Sequence, residues 1–107
     1  MREIKYADAL REALAEEMRR DEKVIVFGED VELGYSYTVC KGLIDEFGPD
    51  RVRDTPICEQ TIVGMAVGAA MMGMRPAPEI MFCDLLFMCM DQICNQAAKL
   101  RYMSGGQ

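Results

Sequence analysis

Asp54-Thr55-Pro56-Ile57-Cys58-Glu59-Gln60 runs directly into a stretch of small and apolar residues spanning 61–73. Pro56 biases Thr55 toward extended geometry. Ile62, Val63, Ala66, Val67 and Ala70 then recur at helical spacing, so an extended segment turns into a helix here with Glu59 in its first turn. A glutamate in that position has an ordinary explanation: free N–H groups and the helix dipole favour negative charge there by about 0.3–1 kcal/mol. It also has a functional one, because this helix carries almost no other charge. Position alone leaves a cap and a site both open.

Outward from this corner, helix and strand signals alternate. Residues 8–20 place Leu10, Ala13, Leu14 and Met18 on one stripe, which predicts an amphipathic surface helix. Val24-Ile25-Val26-Phe27 is a β-branched and aromatic run closed by Gly28, the pattern of a buried strand, with Glu29 and Asp30 at its carboxyl end. Residues 32–38 have no period and read as a loop. Val39, Leu43, Ile44 and Phe47 predict a short helix stopped by Gly48-Pro49. Arg51-Val52-Arg53 is a short strand, residues 76–82 are extended with Ile80, Met81 and Phe82 entering the core, and residues 84–102 form a long helix. Its apolar positions are Leu86, Met90, Ile93, Ala97 and Leu100, and Ser104-Gly105-Gly106 ends it. The alternation predicts an α/β layer fold with a mostly parallel sheet flanked by helices.

Charge narrows the function. Twelve Lys and Arg against eighteen Asp and Glu leave a net charge of −6 over 107 residues, which argues against nucleic acid, since phosphates are bound by concentrated positive charge. An apolar fraction of 50% is enough for a core. The charged N-terminal segment has no secretory pattern, and the nearly uncharged run 61–74 is shorter than the roughly 18–20 residues that span a bilayer. The expectation is a cytoplasmic protein with no membrane partner. Three strands make a thin sheet, so a fragment or a partner-dependent chain is expected.

Cys40, Cys58, Cys83, Cys89 and Cys94 form no CxxC pair, and the chain has no histidine. No metal site is expected from that set. In a reducing compartment these read as free, mostly buried thiols, although Cys58 at a helix start could have a lowered pKa.

In parallel sheets ligands bind beyond the carboxyl ends of the strands. Three places qualify: Gly28-Glu29-Asp30, residues 56–60, and residues 81–85. Two bring acids and the third brings apolar surface beside Asp84. A polar heteroaromatic ligand suits this mixture, whereas a pyrophosphate does not, because no glycine-rich phosphate loop is present.

Read in order, Gly28-Glu29-Asp30, Asp54-Thr55-Pro56-Ile57-Cys58-Glu59, Val67-Gly68-Ala69-Ala70, Gly73-Met74-Arg75-Pro76, Asp91 to Lys99 and the tail Arg101 to Gly106 resemble one family across the whole chain. It is the β subunit of thiamine-diphosphate-dependent 2-oxo acid dehydrogenase E1 components, acetoin dehydrogenases included. The resemblance implies the N-terminal portion of a pyrimidine-binding domain, with the rest of that domain and a C-terminal domain absent. It implies partners: an E1 α subunit holding the cofactor's diphosphate and Mg²⁺, a second β subunit in an α2β2 assembly, and a lipoyl acyltransferase, E2.

The resemblance also assigns roles. Glu59 is implied to bond N1′ of the cofactor's aminopyrimidine and to hold a proton there, so that the 4′-imino nitrogen can take the thiazolium C2 proton. That use of a carboxyl needs burial to oppose the dipole's preference for the anion, and Ile57, Ile62, Met81 and Leu85 are the residues expected to shelter it. Glu29, Glu59 and Asp91 match an acidic relay between active sites. Met81, Leu85 and Met88 match cofactor-side positions, with Leu85 standing where relatives often carry an aromatic ring and Cys58 where serine is usual. Gly64 and Gly68 are implied to lie at the α2β2 interface. Cys58-Glu59-Gln60 also resembles the Glu-Gln pair of transketolase-like enzymes. A noncatalytic module docking through helix 61–73 is the competing class.

Overall fold

A computed structural model describes residues 2–35 and 37–107. Ser36, within the loop expected over 32–38, lies outside the described residues. The chain runs α1 (Tyr6–Arg20), β1 (Val24–Gly28), α2 (Leu43–Phe47), β2 (Val52–Asp54), α3 (Glu59–Met71) and β3 (Arg75–Pro78). A 3-10 segment (Cys83–Cys89), a π segment (Asp91–Ala97) and α4 (Ala98–Met103) follow. The sheet is parallel throughout, in the order β2-β1-β3. Gly28 is opposite Asp54 on one side of β1, and Phe27 is opposite Pro78 on the other. All three strands therefore end together, on the edge where a parallel sheet presents its ligands.

The two faces of the sheet are covered unequally. On one, Met18, Val26, Val31, Cys40, Leu43 and Val52 form a closed core, with Leu14, Ile44 and Phe47 packed on it. Arg51 ties that side together: its guanidinium donates to the carbonyls of Met18, Asp21 and Val24 at 2.7–3.0 Å and lies 5.1 Å from the Phe47 ring centroid. On the other face Phe27, Ile62 and Ala66 form a smaller cluster with Ile25 and Ile80. Beside it a cavity of about 380 Å³ opens between α3 and the β2 edge, lined by Ile25, Phe27, Thr55, Cys58, Ile62 and Met65 among others.

Several sequence expectations need correction. The α1 stripe is covered only in part: Met18 is buried and Leu14 packs on the core beside buried Ala15, whereas Leu10 and Ala13 are exposed, because the helix meets the sheet through its C-terminal half. β3 stops at Pro78, and Phe82 is exposed rather than in the core. The long helix expected over 84–102 is three segments of different winding. A 3-10 turn has about three residues and a π turn closes i→i+5, so an apolar stripe laid out at 3.6 residues loses phase. Met90 and Ala97 accordingly end exposed. Finally, Cys40 and Cys89 are buried but Cys58, Cys83 and Cys94 are exposed. Most of the thiols thus face solvent.

Candidate functional site

The strand ends gather three glutamates. Glu29 directly follows β1 and is 9% exposed, and Glu59 opens α3 and is 6% exposed. Glu79 follows β3, where its N–H donates to the Phe27 carbonyl at 2.9 Å. A Cβ on Gly28 would come within 2.8 Å of the Glu79 Cβ and carbonyl oxygen, so only glycine lets the end of β1 pass this close to Glu79. Burial pushes the Glu29 carboxyl above its ordinary pKa, and the negative charges of Glu59, Glu79 and Asp30 push it further the same way. Its Oε1 is buried without a hydrogen-bond partner among the described residues, as is the Thr55 hydroxyl at the neighbouring strand end.

The corner that carries Glu59 forms as its residues dictate. Beyond the β1–β2 ladder the Thr55 N–H donates to the Gly28 carbonyl at 2.9 Å. Pro56 then turns the chain, and Cys58 stands at the N-cap without a side-chain bond to the helix backbone. Its sulfur instead lies 3.0 Å from the Thr61 hydroxyl. That hydroxyl and the Thr61 backbone lower the Cys58 thiol pKa. Cys89, fully buried in the 3-10 segment, is raised by burial and by the charges of Glu59 and Cys58.

The other expected site residues divide. Ile62 is buried, while Met81 and Leu85 are half-buried. Ile57 is 80% exposed and Met88 57%, so neither shelters Glu59 in this chain. Asp91 is exposed, and its carboxylate accepts from Asn95 at 2.8 Å and Gln92 at 3.2 Å. The small-residue face of α3 splits as well: a Cβ at Gly64 would meet the Gln92 amide oxygen at 3.3 Å, whereas Gly68 has nothing within 4 Å. Glu79 was absent from the expected site. Its signal is an acid directly after the Pro76-Ala77-Pro78 run, which a strand extending to Phe82 places in an internal position.

Among the described residues no group of three or more His, Cys, Asp or Glu is placed to hold a metal ion, and no helix is long and apolar enough to cross a membrane. Chemically the strand ends offer an acid-bearing surface on which the buried Glu29 Oε1 has no hydrogen-bond partner among the described residues. Such a surface can accept hydrogen bonds from a polar ring and retain a proton near it.

Comparison with known proteins agrees with this fold. The family described as "Transketolase, pyrimidine binding domain" matches residues 2–106. The pyruvate dehydrogenase E1 component subunit beta of Rickettsia bellii (strain RML369-C) is 52% identical over 106 residues, which cover 98% of this chain and 33% of that protein. That of Rhizobium meliloti (strain 1021) is 54% identical over 101 residues, covering 94% of this chain and 22% of that protein. A chloroplastic subunit, beta-4 of Oryza sativa subsp. japonica, is 53% identical over 106 residues, covering 98% and 26%. The chain spans a third or less of the length of these curated relatives.

Proposed function

This chain belongs to the transketolase pyrimidine-binding domain family, and on that premise we propose that it is the N-terminal portion of the β subunit of a thiamine-diphosphate-dependent 2-oxo acid dehydrogenase E1 component. The whole subunit would take part in oxidative decarboxylation of a 2-oxo acid, or cleavage of acetoin, with acyl transfer to a lipoyl domain. The observation that carries this reading is Glu59: a buried acid at the head of α3, beside the buried Glu29, where three parallel strands end. The similarity to pyruvate dehydrogenase β subunits supports pyruvate as the first substrate to try.

The residues present fit the aminopyrimidine end of the cofactor. A buried carboxylate oxygen of Glu29 has no partner among the described residues, and half-buried Met81 and Leu85 supply apolar contact. When bound, the cofactor supplies a carbon nucleophile that attacks the 2-oxo group. In this reading Glu59 bonds the ring nitrogen N1′ and holds the proton there. Glu29 accepts or returns a proton behind it, and burial raises its pKa in the direction that favours holding one. Asp91, exposed in this chain, joins the relay across a subunit boundary, and Met88 and Ile57 meet the cofactor or a partner chain there. The α subunit holds the diphosphate and Mg²⁺. The open Gly68 and the exposed Met65 and Met71 give α3 a free face, which supports its place in an α2β2 interface. A lipoyl acyltransferase then receives the acyl group. The proposed compartment is the cytoplasm.

Glu59→Gln in the full-length β subunit, reconstituted with its α subunit, tests the assignment. The expected result is loss of turnover on the order of 10²–10⁴-fold with assembly intact. Near wild-type turnover would remove the catalytic reading. Loss of assembly alone would favour the second one, a noncatalytic module docking through α3, for which the free Gly68 face is the supporting observation.

A further inference from the structure

The Gly28–Asp54 pair is the last rung between β1 and β2, and past it the chain divides. One branch carries Glu29 into the turn-rich segment 29–35, and the other carries Asp54 toward Glu59. Two bonds rejoin them. The Glu32 N–H donates to the Asp54 carboxylate at 2.8 Å, and the Asp54 N–H donates to the Glu32 carboxylate at 3.0 Å. Each acid thus satisfies the main-chain donor of the other, 22 residues away in sequence. Both are half-buried, where a bond from an amide to an ionised carboxylate is stronger than a neutral one and an unmade one is costly.

Between the last rung and this reciprocal bond lies Asp30, at a φ of 54°. A non-glycine residue in the left-handed region is strained and persists when its surroundings hold it from both sides. On the strand side Gly28 is held by the ladder. On the other side Val31 is fully buried in the core, and Glu32 is held by Asp54. The direction of the Glu29 side chain is set between those two anchors.

Resting on the function proposed above, we propose that Glu32 and Asp54 are positioning residues: their reciprocal bond holds the segment bearing Glu29 in register with the corner bearing Glu59. Neither needs to touch the reacting atoms. Their carboxylates are occupied by main-chain N–H groups, so they act through the placement of Glu29.

The test compares Glu32→Ala with Glu32→Gln in the full-length subunit assembled with its α partner, by kcat and KM across pH and by hydrogen exchange of peptides covering 29–35 and 54–58. Glu32→Ala is expected to lower kcat about tenfold, since small misplacements of catalytic groups carry large penalties, with KM within about twofold. Burial is the main cause of Glu29's raised pKa, with Glu59, Glu79 and Asp30 the charges that face it. Admitting water should therefore move the kinetic limb that Glu29 controls to lower pH. Both peptides should exchange faster, and Glu32→Gln, which keeps an acceptor oxygen, should restore rate, pH profile and protection. If the wild-type complex turns over but Glu32→Ala leaves the pH profile in place, the positioning role is overturned and the proposed function stands. A melting temperature lowered without a shifted profile overturns it equally. Should the wild-type complex have no 2-oxo acid activity, the proposed function fails, and exchange alone decides: faster exchange of both peptides supports the coupling, and unchanged exchange overturns it.

Discussion

The strand-end corner and the C-terminal helical run each place an acid in the first turn of a helical segment, Glu59 in α3 and Asp91 in the π segment. Their surroundings differ. Glu59 is buried where bonds connect segments far apart in sequence, as Thr55 reaches Gly28 and Glu32 reaches Asp54. Asp91 sits in a segment with no buried residue, and its bonds are local, to Gln92 and Asn95, with Lys99 bonding Asn95 in turn. Helical position is therefore no guide to the environment of an acid. What counts is whether residues distant in sequence close over it.

The largest expected effect that could break this contrast is on turnover. In the reconstituted full-length enzyme, Glu59→Gln should lose at least about 100-fold in kcat, while Asp91→Asn should lose about threefold or less, consistent with a relay that substitutes a water or another acid. Equal losses in steady-state assays would show that burial in this chain does not rank the acids.

Stability provides the next comparison, since the closed face of the sheet is a buried core and α4, at the end of the run, has no buried residue. Met18→Ala removes a fully buried side chain from the core beneath β1 and should lower unfolding free energy by about 2–5 kcal/mol. Met103→Ala, at an exposed position on α4, should stay within about 0.5 kcal/mol. Denaturant titration of the full-length subunit would read both. Arg51→Lys lies between them: lysine is a point donor and cannot reproduce the planar fork that spans three carbonyls. A loss of about 1–3 kcal/mol is expected from the bonds left unmade, measured the same way.

The smallest effect is in the pH dependence of stability. Glu29 has a folded-state pKa raised chiefly by burial, so the folded state holds its proton more tightly than the unfolded one. Its contribution is fully present below the unfolded pKa and is lost as pH rises through the raised folded value. Glu29→Gln should flatten that decline on the alkaline side of the ordinary carboxylate range. Melting temperatures across pH 4–8, roughly the window where such groups titrate, would decide. A decline that persists in Glu29→Gln would move its origin to another acid of the cluster.

Much of the strand-end site was legible in residues. Pro56 before an apolar helical period marks the turn into α3, and the Val24–Phe27 run closed by Gly28 marks the end of β1. Each is a local signal that burial reinforces, so the places of Glu29 and Glu59 at strand ends are readable from their sequence neighbours alone. The C-terminal run was legible as helical and illegible in phase. Its apolar residues fit a 3.6-residue period on paper, but 3-10 winding over Cys83–Cys89 and π winding over Asp91–Ala97 rotate them away from a single stripe. Ile57 failed for a related reason: its hydrophobicity suggested shelter for Glu59, yet the turn at Pro56 points it outward.

By itself the sequence determined the order of elements, the parallel α/β architecture and the two acids at its strand ends, because periodicity, β-branched runs and turn residues act over a few neighbours. The tertiary structure alone decided that Glu79 joins those acids, that Glu32 and Asp54 bond each other's backbones, and which cysteines face water. Those outcomes depend on strand register and helix winding. Both are set by packing among residues tens of positions apart, which no local pattern encodes.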